Sequence, residues 1–241
     1  MDQLAGGDVR EVVQDFYARV SQSGDQACVC STTYRPEDLA GLPEEVTSRS
    51  FGCGNPAAFD GLRTGDTVVD IGSGVGLDCL IAARKVGAAG RVIGLDMTDE
   101  MLSQAWENAA RAGAANVSFH KGHAEQIPLP SDLADVVISN CVINLSPDKP
   151  AVFGEIGRVL KPGGRMIVAD IVASADVPER LRRDAELWSQ CLAGALREDR
   201  YLQAIGEGGL ERATVLERRP WTTVEGIDFY AVVVRAEKPT A

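Results

Sequence analysis

The 241-residue sequence is poor in positive charge and has no long apolar segment. Its 24 Lys and Arg residues face 35 Asp and Glu residues, so the formal net charge is -11. No long Lys or Arg run offsets this acidity, which argues against a nucleic-acid or anionic-membrane surface. No apolar run approaches the roughly 20 residues that span a bilayer, and we find no charged-then-apolar signal segment. We therefore expect a cytoplasmic protein with neither nucleic acid nor a membrane as partner, and we expect a monomer.

The spacing of a zinc site is also missing. The chain has 2 histidines, and its 6 cysteines include no Cys-x-x-Cys pair, the closest approach being Cys28-Val29-Cys30. These absences count against zinc. In a reducing compartment the cysteines do not indicate a disulfide framework. Each cysteine is therefore a candidate for thiol chemistry and has to be considered individually.

From residue 66 onward, short apolar runs alternate with helical patterns. Strands are predicted at 67–71, 91–95, 117–120, 134–139 and 165–170, and helices at 76–87, 98–113 and 148–160. Such alternation produces βαβ units and an α/β fold with a parallel, doubly wound sheet. Outside this region we predict an amphipathic cap helix over 8–21, helical structure over 178–206, and an edge hairpin with strands near 211–219 and 228–235.

The segment Asp70-Ile71-Gly72-Ser73-Gly74-Val75-Gly76 lies in the turn between the first of these strands and the following helix. Glycine permits a tight turn with positive φ and lets a ligand lie directly against the backbone. Asp96 ends the second strand, 20 residues past Gly76, where an acidic side chain is placed to bind a ribose diol. Enzymes that use a nicotinamide cofactor share both features.

Two details of this segment favour S-adenosylmethionine over a dinucleotide. Asp70 stands beside the turn, where a carboxylate suits a ligand with a positively charged amino group better than a pyrophosphate. The glycine spacing is Gly-x-Gly-x-Gly rather than Gly-x-Gly-x-x-Gly. Both details fit a ligand that carries an ammonium, a sulfonium and a ribose.

Three motifs resemble those of class I S-adenosylmethionine-dependent methyltransferases. They are Val69 to Gly76, Gly94 to Thr98, and Arg158 to Gly164. The resemblance implies a Rossmann-like seven-stranded sheet whose last strand is antiparallel, with S-adenosylmethionine as co-substrate. It assigns cofactor binding to Asp70, Gly72, Ser73, Gly74, Gly76, Asp96, Met97, Ala124, Glu125 and Asn140. The predicted domains are an N-terminal cap with thiol loops (1–58), a cofactor-binding Rossmann-like domain (59–175), and C-terminal helices with the edge hairpin (176–241).

Three further segments resemble the cysteine segments of arsenite methyltransferases, in the same order along the chain. They are Gly52 to Pro56, Asp135 to Lys149, and Trp188 to Leu196. The matching cysteines of that family bind As(III), so the resemblance implies that Cys53, Cys141 and Cys191 are catalytic and hold the arsenic. It also implies a thiol reductant such as thioredoxin or glutathione, and As(III) arriving as a thiol conjugate.

The N-terminal cysteines depart from the family pattern. That family often carries an adjacent pair, whereas Val29 separates Cys28 from Cys30. This departure leaves three alternatives open: they deliver arsenic, they close a transient disulfide during turnover, or they have no role. We favour a dynamic relay and assign Cys28 and Cys30 to the catalytic residues. Cys79, on the helix after the glycine turn, is instead predicted to be a core residue.

The chemistry of trivalent arsenic agrees with this assignment. Arsenic(III) is soft and prefers thiolates to oxygen ligands. Three thiolates leave its lone pair free to attack the sulfonium methyl, so proximity and alignment replace a general base. The predicted function is methylation of arsenite to methylarsenite, and on to the dimethylated product, for arsenic detoxification. Two alternatives stay open: a methyltransferase for another thiophilic element or a small organic acceptor, and a thiol-based metalloid-binding protein without turnover.

Overall fold

In the part of the chain that the structure describes, three α-helices precede the central sheet. The computed structural model describes residues 9–23, 34–48, 52–59 and 61–240. The first helices are α1 (Val9–Ser23), α2 (Pro36–Leu39) and α3 (Glu44–Thr47), and a 3-10 turn at Pro56–Ala58 leads towards the sheet. Cys28 and Cys30 lie outside the described residues. Among the described residues, no helix is both long enough and apolar enough to cross a membrane.

The sheet is mostly parallel and has an antiparallel edge. Its strands are β1 (Thr67–Ile71), β2 (Arg91–Asp96), β3 (Val117–Lys121), β4 (Ala134–Asn140), β5 (Leu160–Ala173), β6 (Leu196–Arg197), β7 (Glu211–Val224) and β8 (Ile227–Glu237). The spatial order is β3-β2-β1-β4-β5-β8-β7, and the two-residue β6 pairs with β5. Strands β1 to β5 run parallel, whereas β8 is antiparallel to both β5 and β7. The predicted doubly wound α/β sheet and its edge hairpin are confirmed.

Strand β5 begins earlier than its apolar run predicts. The pairing of Ala134 with Leu160 is followed by that of Val136 with Arg165, so β5 carries extra residues at this point. Gly163, with φ of +75°, lies among these extra residues. The Pro-Gly-Gly sequence therefore forms an irregularity inside the strand rather than a turn before it.

The six remaining helices follow the sheet strands. They are α4 (Leu77–Val86), α5 (Asp99–Arg111), α6 (Lys149–Val159), α7 (Glu179–Arg182), α8 (Ala185–Ser189) and α9 (Glu198–Glu207). The predicted helical segment 178–206 is divided into α7, α8 and α9 and includes the two-residue β6. Asp184 caps a new helix, because its side chain accepts the N–H groups of Glu186 and Leu187. Cys191 has a φ of +62°, which ends the helical path before β6.

Both faces of the central strands are buried. On one face, Val68 and Ile138 pack in a cluster with Leu80 of α4, and on the other, Val69 and Val137 pack in a cluster that includes α6 and α9. Period-2 alternation along each strand distributes its side chains between the two clusters. This arrangement brings the carboxyl ends of β1, β2, β4 and β5 to one edge of the sheet, where ligands bind in open α/β folds.

Candidate active site

The glycine turn after β1 is anchored to the neighbouring strand. The N–H groups of Gly72 and Ser73 donate to the carbonyl of Leu95 in β2, at 2.7 and 2.9 Å. Gly72 has a φ of +72°, and a Cβ atom at this position would lie 2.1 Å from a methyl carbon of Val142. Only glycine fits here, because both the backbone conformation and the approach of Val142 exclude a side chain.

Asp96 also holds the glycine turn, through hydrogen bonds to the backbone. One of its carboxylate oxygens accepts the N–H of Gly74, and the other accepts that of Thr98, both at 2.9 Å. Burial raises the pKa of Asp96, and these backbone donors oppose the rise. The two aspartate-to-backbone bonds fix the end of β2 against the glycine turn.

A cleft opens at this edge of the sheet. It contains most of the residues that were predicted to bind a cofactor, namely Gly72, Ser73, Gly74, Asp96, Met97, Ala124, Glu125 and Asn140. Cys141 and Gly52 also line it, so the cleft extends to the cysteine segments.

Two predicted cofactor residues lie outside the lining of this cleft. Asp70 is buried behind the turn, where its carboxylate accepts a hydrogen bond from the thiol of Cys79 at 3.2 Å. Burial raises the pKa of Asp70, and so does the charge of Asp78. Gly76 is the N-cap of helix α4 with a φ of +93°, and a Cβ atom there would lie 3.1 Å from the ring of Phe119. Cys79 is fully buried.

Asp78 was not identified from the sequence, although it occupies the position in the cleft that was expected for Asp70. Its carboxylate accepts hydrogen bonds from the Tyr34 hydroxyl and the Asn140 amide, each at 3.0 Å. Burial raises the pKa of Asp78 to about 6, and these two donors oppose the rise. The only sequence signal for Asp78 was that an acidic residue stands in the first turn of α4. Such a residue is equally well explained by its favourable interaction with the helix dipole.

Helix α1 covers the cleft from the outside. Its residues Arg10, Val13 and Tyr17 join the lining. Tyr17 donates to the carbonyl of Ser189 at 3.4 Å, and Gln14 donates to the carbonyl of Met97 at 3.3 Å. Helix α1 thus contacts both the loop after β2 and helix α8, in the position that was predicted for a cap.

Asn140 connects the cleft to the segment around Cys53. Its side-chain oxygen accepts the N–H groups of Cys53 and Gly54 at 3.0 and 3.1 Å, and its amide nitrogen donates to the Gly54 carbonyl at 2.9 Å. Arg219 of β7 donates to the carbonyl of Cys53. A segment distant in sequence is therefore held at the end of β4 from two sides.

The three predicted arsenic-binding cysteines come together at this place. Cys53 and Cys141 form a disulfide with a Cα–Cα distance of 5.8 Å, and the thiol of Cys191 lies 3.1 Å from the carbonyl oxygen of Cys141. All three residues are buried. Cys141 and Cys191 both have left-handed backbones, with φ of +59° and +62°. Such strained conformations in non-glycine residues cluster at functional sites.

The disulfide differs from the expectation that the cysteines remain thiols. Asn140 and Arg219 bring Cys53 against Cys141 closely enough for the two sulfurs to bond. In this oxidised form, the described residues contain no group of three or more His, Cys, Asp or Glu side chains arranged to hold a metal ion. Thiolate ligation by Cys53 and Cys141 therefore requires reduction of this bond first.

Comparison with known proteins agrees with this geometry. Residues 62–213 match a family model described as a methyltransferase domain. The crystal structure of an arsenic(III) S-adenosylmethionine methyltransferase from Chlamydomonas reinhardtii superposes with a TM-score of 0.77 at 34% identity, covering 84% of this chain and 73% of that one. The fold is therefore that of a methyltransferase domain.

Sequence relatives identify the family more closely. An arsenite methyltransferase from Halobacterium salinarum is 38% identical over 96% of this chain and 67% of its own length. The Homo sapiens arsenite methyltransferase is 37% identical over 81% of this chain and 56% of its own length. The chain belongs to the arsenite methyltransferase family. It spans from about half to two thirds of the length of the curated relatives it matches.

Proposed function

We propose that this protein transfers a methyl group from S-adenosylmethionine to As(III) held by the thiolates of Cys53, Cys141 and Cys191. One observation carries the proposal. Cys141 lines the cleft and also contacts both other cysteines, through the disulfide to Cys53 and the hydrogen bond from Cys191. The acceptor and the methyl donor would therefore meet at the carboxyl end of β4.

The cleft fits S-adenosylmethionine in charge and in polar groups. Its lining includes the acidic residues Asp78, Asp96 and Glu125, which suit a ligand with ammonium and sulfonium charges. Two buried polar atoms of the lining, Ser73 Oγ and Asp78 Oδ1, have no hydrogen-bond partner among the described residues. Buried polar atoms without partners are costly, so a polar ligand there is favoured. We assign the ribose diol to Asp96 and the ammonium to Asp78.

The chain's own residues then bind and orient the acceptor. When bound, S-adenosylmethionine supplies a methyl group activated by a sulfonium. Three thiolates hold As(III) as a pyramid and leave the arsenic lone pair free for in-line displacement. The lone pair carries no proton, so the site needs no general base. Proximity is the main contribution of the protein, and well-oriented intramolecular reactions reach effective molarities on the order of 10⁵ M or more.

The disulfide between Cys53 and Cys141 assigns a role to a thiol reductant. Two equivalents of a small thiol, or one reduced thioredoxin, would convert the disulfide to two thiols and become oxidised in turn. We propose that the reaction takes place in the reducing cytoplasm, where free thiols persist. As(III) would arrive there as a thiol conjugate at a monomeric enzyme. Displacement would release S-adenosylhomocysteine and leave a methylated As(V) centre, and two thiolates that join as a disulfide would supply the two electrons that return it to As(III) as methylarsenite. The thiol reductant would then restore the thiols, and a second round would give dimethylarsenite.

Product analysis tests this function directly. Reduced protein is incubated with S-adenosylmethionine, arsenite and excess thiol, and the arsenic species are separated by chromatography with elemental detection. We expect methylarsenite from the native chain, none from Cys53→Ser or Cys141→Ser, and near-native yield from Cys79→Ser, whose sulfur lies in the core. Calorimetry should show that Cys53→Ser still binds S-adenosylmethionine.

Other results would support the alternatives. Tight As(III) binding without methylated product would indicate a metalloid-binding protein. Methylation of a selenium, antimony or organic acceptor in preference to arsenite would indicate a different substrate. Near-native arsenite turnover by either serine variant would overturn the thiolate assignment.

A further inference from the structure

Asn144 connects the end of β5 to the loop that carries Cys191. It is completely buried in the 3-10 turn Ile143–Leu145, which follows Cys141. Its side-chain amide donates to the carbonyl of Ile171 in β5 at 2.6 Å and to the carbonyl of Cys191 at 3.3 Å. Hydrogen bonds from one amide group therefore link the Cys191 backbone to β5 of the sheet.

The Cys191 loop lies directly on this turn. A Cβ atom at Gly194 would approach the backbone oxygen of Asn144 to 2.0 Å and the ring of Trp188 to 2.6 Å. Cys191 itself adopts a φ of +62°, a conformation that persists only where the surroundings enforce it. In this conformation its thiol lies 3.1 Å from the carbonyl oxygen of Cys141. Asn144 therefore hydrogen-bonds a residue whose backbone is strained. This backbone conformation sets the position of the Cys191 sulfur.

Lys149 fixes the turn from the other side. Its ammonium group donates to the backbone carbonyls of Asn144 and Ser146, at 3.4 and 3.0 Å. The same group lies 5.9 Å from the centre of the Trp188 ring, and Trp188 belongs to the helix immediately before Cys191. Burial lowers the pKa of Lys149 to about 8. A buried cation is thus engaged in holding the turn and the helix together.

We propose that Asn144 is a positioning residue for the third arsenic ligand, with Lys149 fixing the turn from which it acts. This inference rests on the proposed function. Without the amide donor, the carbonyls of Ile171 and Cys191 lose their shared partner and the strained Cys191 backbone relaxes. Its sulfur then moves away from Cys141. As(III) would be held by two thiolates instead of three, while the cofactor cleft would remain intact.

A double-mutant cycle tests the inference. Asn144→Ala and Cys191→Ser are made singly and together, and the reduced proteins are titrated calorimetrically with arsenite and separately with S-adenosylmethionine. Because Asn144 acts through Cys191, we expect Asn144→Ala alone to weaken arsenite binding about tenfold, the size of one or two lost hydrogen bonds. The same change in the Cys191→Ser background should have less than about a twofold effect. Affinity for S-adenosylmethionine should stay unchanged throughout.

Ile156→Ala is the matched control for general destabilisation, because it opens a cavity in the hydrophobic cluster that contains none of the three cysteines. It should lower the melting temperature without the selective loss of arsenite affinity. If Asn144→Ala does not fold, Asn144→Ser and Lys149→Met replace it in the same cycle. Each should give a smaller loss of arsenite affinity, again only when Cys191 is present.

Equal losses in the native and Cys191→Ser backgrounds would overturn the positioning role, and so would a parallel loss of S-adenosylmethionine affinity. No arsenite binding by the reduced native protein would instead overturn the proposed function. The two failures are therefore distinguishable.

Discussion

The side-chain oxygen of Asn140 accepts the backbone N–H of Cys53 at a distance of 3.0 Å. The last residue of β4 thus positions a cysteine that lies 87 residues earlier in the chain. Its neighbour Cys141 is the residue to which Cys53 is bonded. Asn140 therefore sets how closely two of the three proposed arsenic ligands approach each other.

Replacing Asn140 by alanine should weaken the Cys53–Cys141 disulfide. Two backbone donors lose their acceptor, which costs about 1–3 kcal/mol and shifts the thiol–disulfide equilibrium towards the thiols by about tenfold or more. The measurement is the equilibrium constant with a glutathione redox buffer, read by mass spectrometry. Asn116→Ala is the control, since Asn116 also bonds backbone carbonyls but lies away from the cysteines. An unchanged constant in Asn140→Ala would contradict the positioning of Cys53.

Asp96→Ala should weaken binding of S-adenosylmethionine. The substitution removes the proposed ribose ligand and also the acceptor for the N–H groups of Gly74 and Thr98. Charged hydrogen bonds contribute about 1.5–3 kcal/mol each, so we expect a loss of about tenfold to a hundredfold in affinity by calorimetry. Asp99→Ala, at an exposed neighbouring carboxylate, should bind normally. Equal affinities of Asp96→Ala and the native protein would refute the ribose assignment.

The affinity for S-adenosylmethionine should depend on pH through Asp78. Burial raises the pKa of this carboxyl to about 6, and only the charged form attracts an ammonium group. Affinity should therefore be maximal above that pH and fall as the pH drops through it. About one unit below the pKa, only about a tenth of the protein carries the charge.

Tyr34→Phe provides the matched test of this pH dependence. The Tyr34 hydroxyl donates to Asp78 and lowers the pKa of that carboxyl, so its removal should move the acid limb of the binding profile to higher pH. The profile is measured by calorimetric titration across the acid range. A native profile that stays flat through pH 6 would exclude Asp78 as the ammonium partner.

Alanine at two glycines of the turn should destabilise the protein to different degrees. Gly72 and Gly74 both have positive φ, of +72° and +50°, and a left-handed backbone costs a side-chain-bearing residue about 1–2 kcal/mol. A Cβ atom at Gly72 would also overlap Val142, which adds about 1–3 kcal/mol, whereas the space at Gly74 is open. Urea unfolding should therefore rank Gly72→Ala below Gly74→Ala in stability. The reverse order would show that the Val142 side chain can move aside without a cost in stability.

The sequence predicted the arrangement of the central sheet well because its signals are local. Each βα unit carries its own β-branched run, turn and helical pattern, so the strands near 67–71 and 134–139 could be placed from neighbouring residues alone. The helical pattern over 178–206 did not reveal the breaks between the helices, because one of them contains Cys191, which has a left-handed backbone and accepts a hydrogen bond from Asn144 in another part of the chain.

The choice between Asp70 and Asp78 also depended on packing. Both are acidic residues close to the glycine turn, and the sequence analysis assigned cofactor binding to Asp70 alone. In the folded protein Cys79 holds the Asp70 carboxylate behind the turn, while Tyr34 and Asn140 hold that of Asp78 in the cleft. The partners that decide this are up to 62 residues away from the carboxylate they bind.

The sequence by itself determined the class of sheet, the glycine turn and Asp96, because fixed short spacings along one βαβ unit place these groups. It also carried the three cysteine segments that resemble arsenite methyltransferases. Only the tertiary structure decided how Cys53, Cys141 and Cys191 meet. At this meeting point, the side chains of Asn140 and Asn144 hydrogen-bond the backbone groups of Cys53 and Cys191, which are 87 and 47 residues away. No local pattern specifies a contact at such a distance.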